Sequence, residues 1–129
     1  LADYAAEHCV MIAMEANPVL YGTDFLNTTE ETIDFISQLN REYLGLNLDM
    51  GALLYNQEKT NIIKGYEKII AHVHISEPLL IRIEEHKEHK EIAEILRAVG
   101  YDKAVSIEMK KQDRIEDISK TMKYMQSIL

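Results

Sequence analysis

Residues Ile69–Ser76 read IIAHVHIS, and this stretch decides the fold. Its β-branched residues favour a strand, and the Glu77–Pro78 pair that follows would end that strand. His74 therefore stands near the C-terminal end of a candidate strand. Three further apolar runs each end in an acidic residue: Val10–Met14 in Glu15, Leu44–Leu48 in Asp49, and Ala104–Ile107 in Glu108.

Helical patterns alternate with these four candidate strands. The sequence predicts helices over Leu1–His8, from Thr28 or Thr29 past Leu39, around Lys59–Glu67, over His89–Val99 and over Ile115–Leu129. Alternation of strands and helices calls for a parallel sheet. We therefore predict an α/β fold of four parallel βα units, with about four to five helices, in one domain over residues 1–129. This is half of a (β/α)8 TIM barrel, which typically takes about 250 residues.

Composition narrows the class of protein. The chain has 129 residues, of which 47% are hydrophobic and 28% charged, as expected for one packed domain. The net charge of −8 argues against nucleic acid or an anionic membrane as the main partner. Cys9 is the only cysteine, which fits a reducing compartment such as the cytoplasm, and we expect it to be buried. Because the chain opens at Leu1, we expect it to be a piece of a longer protein.

Strand parity places the four strand-end residues on one face of the sheet. Successive side chains of a strand point to opposite faces, so residues two positions apart share a face. The inward face then carries small and polar groups, and the outward face carries apolar groups that would pack under the helices. The inward set beyond the strand-end residues includes Asn47, His72, Ser76 and Ser106. Polar groups on such a face must be satisfied by one another, by water, by a metal or by a substrate.

The four strand-end residues suit a divalent cation. Two glutamates, one aspartate and one histidine offer the mixed oxygen and nitrogen donors that Mn²⁺, Mg²⁺, Co²⁺ or Zn²⁺ accept. Such a cation could hold a hydroxy-carbonyl substrate while a glutamate removes a proton and returns one. Each residue alone is more often a helix cap, a surface acid or a core histidine, and only their joint pattern indicates a site.

Other polar or sulfur-containing residues have ordinary structural interpretations. His72 is expected to be structural or to support the site from one layer deeper. Lys110 is expected to be a solvated strand end, and His86 and His89 to belong to a solvated, charged helix start. Met122 and Met125 are expected to be packing groups of the last helix.

At these residues the chain resembles the xylose-isomerase-like family of TIM barrels, and most closely its branch of sugar phosphate isomerases and epimerases. The resemblance covers nearly the whole chain but only the C-terminal half of the family's barrel. The order and spacing of the motifs carry it. The matching stretches are Met14–Pro18 with Tyr21–Phe25, Leu48–Ala52, His72–Pro78, and Gly100–Asp102 with Ser106–Lys110.

The resemblance implies a function and a role for each site residue. Glu15, Asp49, His74 and Glu108 would be the ligands of a divalent metal ion, and Glu15 and Glu108 would also be the acid/base pair. The full-length protein would be an isomerase or epimerase that moves a proton next to the carbonyl of a small-molecule sugar substrate. Two positions depart from the family's ketose epimerases, which often carry histidine where Ala52 stands and arginine where Leu80 stands, with Arg82 nearby. Their substrate contacts therefore do not carry over.

Two alternatives stay open. The first is a phosphodiester-cleaving enzyme of the endonuclease IV kind. The negative net charge and too few histidines for a site with several metal ions argue against it. The second is a non-catalytic or truncated half barrel. Because its two outer strands would lack neighbours, such a half would form a homo-oligomer or pair with a missing N-terminal half barrel.

Overall fold

The computed structural model describes residues 1–129 and contains four strands and five α-helices. The strands are β1 (Ile12–Glu15), β2 (Leu44–Asp49), β3 (Ile70–Ser76) and β4 (Val105–Glu108). The helices are α1 (Ala2–Glu7), α2 (Thr29–Leu39), α3 (Met50–Tyr55), α4 (Lys87–Ala98) and α5 (Ile115–Ile128). None of these helices is long and apolar enough to cross a membrane.

The strands form one parallel sheet in the order β1-β2-β3-β4. Every strand therefore pairs with its neighbour in sequence, as in consecutive units of a barrel wall. The predicted α/β fold with four parallel βα units is confirmed. β1 and β4 are the two outer strands, and each has a sheet neighbour on one side only.

The apolar face of the sheet packs under the helices, as parity predicts. Leu46, Leu48, Val73 and Ile75 are at most 2% exposed. Burial of each such side chain is worth about 1.5–3 kcal/mol relative to exposure. Their partners in the core come from four helices: Ile33 and Ile36 of α2, Leu53 of α3, Ile92 and Leu96 of α4, and Met125 and Ile128 of α5.

A register shift in β3 places Ile70 and His72, two residues apart, on opposite faces of the sheet. Leu46 of β2 pairs with Ile70, but the next residue, Asn47, pairs with His72, so Ala71 is an extra residue on β3. Such a bulge changes which face the following side chains point to. As a result Ile70 lies in the apolar core with none of its surface exposed, while His72 stays on the polar face.

The helix predicted around Lys59–Glu67 is wrong. That region contains two short 3₁₀ turns, Thr60–Ile63 and Glu67–Ile69, with Gly65 at φ 88° between them. A residue in the left-handed region cannot lie inside a right-handed helix, so the helical pattern is interrupted there. The α-helix of this unit instead begins at Met50, directly after β2.

Three expectations about single residues also need correction. Cys9 is exposed, because it lies in the turn between α1 and β1 rather than in the strand. Met125 packs in the core, but Met122 is 50% exposed on the outer side of α5. His89 is fully buried, because it precedes Ile92 and Ala93 by three and four residues and so shares the apolar face of α4.

Buried His89 and half-buried His86 are both held by side chains of neighbouring elements. Nδ1 of His89 lies 3.1 Å from the hydroxyl of Tyr124 on α5. Burial, followed by the charge of His86, lowers the pKa of His89 to about 4, so its ring is neutral at physiological pH. Nε2 of His86 lies 2.8 Å from Oε1 of the buried Glu77. These contacts tie the segment after β3 to the last helix.

Candidate metal centre

The C-terminal ends of the four strands bring the four predicted site residues together. Glu15, Asp49, His74 and Glu108 each offer one ligand atom, and these atoms all lie within 4.8 Å of one another. Nδ1 of His74 is 3.2 Å from Oε2 of Glu108, 3.5 Å from Oε2 of Glu15 and 4.0 Å from Oδ2 of Asp49. The imidazole therefore faces all three carboxylates.

The carboxylates repel one another in this arrangement. Burial, followed by the charge of Asp49, raises the pKa of Glu15. Burial also raises the pKa of Asp49, although hydrogen bonds from Ser76 and from the backbone of Ala52 oppose that rise. Ionised Glu15 and Asp49 are therefore costly without a positive charge between them, and a cation would remove that cost.

The donor set fits a divalent cation. Oxygen and nitrogen donors that bind one small cation at about 2.1 Å lie about 3 to 4 Å from one another. The three distances from His74 Nδ1 to the carboxylate oxygens, 3.2, 3.5 and 4.0 Å, fall in this range. Three carboxylates and one imidazole without sulfur favour Mn²⁺, Mg²⁺, Co²⁺ or Zn²⁺ of the catalytic type.

Asp49 is the most rigidly held of the four residues. Its Oδ1 accepts a 2.6 Å hydrogen bond from the backbone N–H of Ala52, which makes Asp49 the N-cap of α3. Its Oδ2 accepts a 2.5 Å hydrogen bond from the hydroxyl of the fully buried Ser76, whose oxygen in turn accepts one from the N–H of Gly51 at 2.8 Å. A Cβ on Gly51 would lie 2.9 Å from the carbonyl carbon of Glu77 and 3.0 Å from the Ser76 oxygen, so this close approach needs glycine.

Asn47 links two of the four residues from the centre of the sheet. Its Nδ2 donates to Oε2 of Glu15 and lies 3.2 Å from Nδ1 of His74. Its Oδ1 is buried and has no hydrogen-bond partner. The amide therefore contacts Glu15 and His74 through its nitrogen alone.

His72 lies one layer below the cluster. Its Nε2 is 2.9 Å from the hydroxyl of Ser106, and its ring meets that of His74 edge to face at 4.9 Å between centroids. Burial, followed by the charge of His74, lowers the pKa of His72, which keeps the ring neutral. His72 thus touches a site residue but does not face the carboxylates.

A cavity of about 320 Å³ adjoins the four residues. It is lined by residues from three of the strand ends and the loops that follow: Glu15, Ala16, Asn17, Pro18, Tyr21, Asp49, Leu80 and Glu108. The lining contains three carboxylates and no basic side chain. Arg82 does not reach it, since its guanidinium binds Glu84 at 2.7 Å and Asp117 at 3.2 Å. Lys110 is exposed, as expected.

The fold and the site agree with the family match. The model of the family described as xylose isomerase-like TIM barrel matches residues 1–128, and the chain belongs to this family. A comparison with curated protein sequences finds no match.

Solved structures of larger barrels share this fold. The crystal structure of 3-keto-D-glucoside 4-epimerase from E. coli matches with a TM-score of 0.81 and 14% identity over 98% of this chain and 49% of that one. D-psicose 3-epimerase from Clostridium cellulolyticum matches at 0.79 and 16% identity over 98% and 52%. An AP endonuclease of family 2 from Brucella melitensis matches at 0.77 and 18% identity over 95% and 50%. The chain thus spans about half the length of these proteins.

The sequence pattern gives no specific role to two supporting residues, Asn47 and Ser76. Parity places both on the inward face, but the pattern alone does not single them out as partners of Glu15 and Asp49. The available signal is their spacing, because each lies two residues from a predicted ligand on its own strand, Asp49 or His74.

Proposed function

We propose that this chain carries the metal-binding, proton-transferring half of a sugar or sugar-phosphate isomerase or epimerase. The observation that carries the proposal is the convergence of Glu15, Asp49, His74 and Glu108 within 4.8 Å beside an open cavity. Membership of the xylose isomerase-like family supports it. Glu15 and Glu108 are the proposed acid/base pair, and all four residues are the proposed ligands. The single cysteine is the basis for proposing a reducing compartment such as the cytoplasm.

Exposure divides the roles among the carboxylates. The side chain of Asp49 is 9% exposed and both of its oxygens already accept hydrogen bonds, so it holds its position. The side chains of Glu15 and Glu108 are 38% and 40% exposed and line the cavity, so they can reach a substrate. Bound there, a divalent cation would polarise the substrate carbonyl and stabilise negative charge on its oxygen.

Glu15 and Glu108 come from the two outer strands of the sheet, β1 and β4. They therefore approach the cavity from opposite ends of the ligand row. One carboxylate removes the proton next to the carbonyl, and the other returns a proton to the same carbon or to its neighbour.

Solvent exchange tests this proposal. The full-length protein with added Mn²⁺, Mg²⁺, Co²⁺ or Zn²⁺ is incubated in D₂O with a panel of ketoses and ketose phosphates. We expect deuterium to enter the carbon next to the carbonyl, as followed by NMR. Glu108→Gln should abolish exchange, whereas Glu116→Gln, which removes the same charge from an exposed position of α5, should not. Exchange that survives Glu108→Gln would refute the proposed mechanism.

A phosphodiester-cleaving enzyme is the second candidate, because an AP endonuclease of family 2 shares the fold. The net charge of −8 and a cavity without a basic side chain weigh against a nucleic-acid substrate. Metal-dependent cleavage of a duplex with an abasic site, without deuterium exchange into sugars, would replace the first proposal by this one.

Self-association without catalysis is the third candidate, since β1 and β4 each lack a second neighbour. Light scattering of the 129-residue chain measures it directly. A dimer without deuterium exchange would support it, and a clean monomer would exclude self-pairing.

The small-molecule substrate, as opposed to nucleic acid or a membrane surface, remains the partner we propose.

A further inference from the structure

We infer that Asn47 is a positioning residue that holds the carboxylate of Glu15 in place for metal binding. The inference rests on the proposed metal site and concerns a residue outside its ligand set. Asn47 lies on β2, between the strands that carry Glu15 and His74, and it is 6% exposed. In register it stands beside Glu15 on one side and His72 on the other.

The carboxamide nitrogen makes the contact that matters. It donates one N–H to Oε2 of Glu15 on the neighbouring strand, and it lies 3.2 Å from Nδ1 of His74. A carboxylate oxygen has two lone pairs, so Oε2 can accept this hydrogen bond and still bind a cation, whereas Nδ1 of His74 has a single lone pair that a cation would need. A side chain that orients ligands in this way is a common requirement of metal sites.

The carboxamide oxygen shows that this orientation is not chosen for stability alone. Oδ1 of Asn47 is buried without a partner, and a buried acceptor without a partner costs free energy. Rotating the amide by half a turn would direct Oδ1 at the carboxylate of Glu15, which would repel it. An apolar side chain of the same size would avoid the unpaired acceptor altogether. The unpaired oxygen is therefore a cost of this orientation, and the hydrogen bond to the Glu15 carboxylate offsets that cost.

Stability and metal affinity should therefore separate in Asn47→Leu. The variant loses the hydrogen bond to Glu15 and also removes the unpaired oxygen, and these two effects oppose each other. We expect its melting temperature without metal to stay close to that of the wild type. We expect its affinity for the metal to fall by about 10- to 100-fold, the usual effect of losing an orienting partner.

The experiment measures Mn²⁺ binding by calorimetry and metal-free melting for the full-length wild type, Asn47→Leu and Ser106→Ala. Ser106→Ala is the matched control, because its hydroxyl lies on the same face and meets His72 rather than a ligand. It should bind Mn²⁺ like the wild type. Asn47→Met, with a more flexible side chain of similar size, repeats the test if leucine packs poorly.

Each outcome decides the inference. Weaker Mn²⁺ binding at an undiminished melting temperature supports it. Equal affinity in the wild type and both Asn47 variants overturns it and leaves the metal site in place. A loss of affinity that accompanies a lower melting temperature in both variants assigns Asn47 a merely structural role and also overturns it. Absence of Mn²⁺ binding by the wild type overturns it too, whereas the proposed reaction is decided separately by deuterium exchange.

Discussion

Replacement of Ser76 by alanine tests whether the support of Asp49 is also important for the fold. The Ser76 hydroxyl is fully buried, donates to Asp49 at 2.5 Å and accepts from the N–H of Gly51 at 2.8 Å. Ser76→Ala removes both hydrogen bonds at once and leaves two buried groups unpaired. The adjacent strand offers a control at Ser106, whose hydroxyl meets only the partly buried ring of His72.

The magnitudes for the two serines differ. A hydrogen bond to a charged acceptor contributes about 1.5–3 kcal/mol, and a buried donor left without a partner costs about 1–3 kcal/mol. Because both losses at Ser76 come from one hydroxyl, they do not simply add, and we expect a total loss of about 3 kcal/mol. Ser106→Ala removes one hydrogen bond between neutral groups and should cost about 1 kcal/mol.

Equilibrium unfolding in urea, at pH 7 without metal, measures both losses as changes in the free energy of unfolding. The slope of that free energy against urea concentration should stay constant, which shows that the unfolded state is unchanged. We expect Ser76→Ala to be about 2 kcal/mol less stable than Ser106→Ala. Equal losses would show that the two hydrogen bonds from Gly51 to Ser76 and from Ser76 to Asp49 do not stabilise the end of β2.

Further predictions concern the charge, the close packing and the metal of the site. Because the pKa of Glu15 is raised in the folded protein, ionisation of Glu15 between pH 4 and pH 7 lowers the stability of the fold. Glu15→Gln should therefore raise the metal-free melting temperature at pH 7 and not at pH 4. An equal gain at both pH values would contradict this prediction. Gly51→Ala gains about 1 kcal/mol of helix propensity but loses about 1–3 kcal/mol to crowding against Glu77. Urea titrations should therefore show a less stable protein. A stabilised variant would disprove the close approach of Gly51 to Glu77. Mn²⁺ at about 100 times its dissociation constant should stabilise the wild type by about 2.7 kcal/mol in thermal unfolding. His74→Gln should lose most of that gain and His72→Gln should keep it, so the same loss in both would refute His74 as the ligand.

The alternation of candidate strands with helical patterns predicts the parallel sheet, and the two-residue period of strand side chains predicts the convergence at its edge. Glu15 and Glu108 lie 93 positions apart in the chain, yet parity and the parallel order place them on one face. The bulge at Ala71 was not predictable, because it depends on how β3 pairs with β2 and not on its own sequence. Without the bulge, parity would place Ile70 on the polar face.

Tertiary context explains the remaining errors. The helical pattern of Lys59–Glu67 contains Gly65, whose left-handed conformation is decided by the path of the chain toward β3. The charged neighbours of His89 favour a solvated position, but its spacing to Ile92 and Ala93 places it in the core. Asn47 and Ser76 support the site through contacts with other strands, and the sequence pattern does not show which side chains meet across strands.

All four proposed ligands lie on consecutive strands within residues 15–108, and so do the side chains that orient them. The donor set can therefore be inherited as one contiguous block of coding sequence. A hybrid barrel that takes residues 1–129 from this chain would receive every ligand and both orienting groups, whatever sequence supplies the other strands. The part of a barrel that holds the proposed ligands and the part that supplies other strands could then be exchanged independently during evolution.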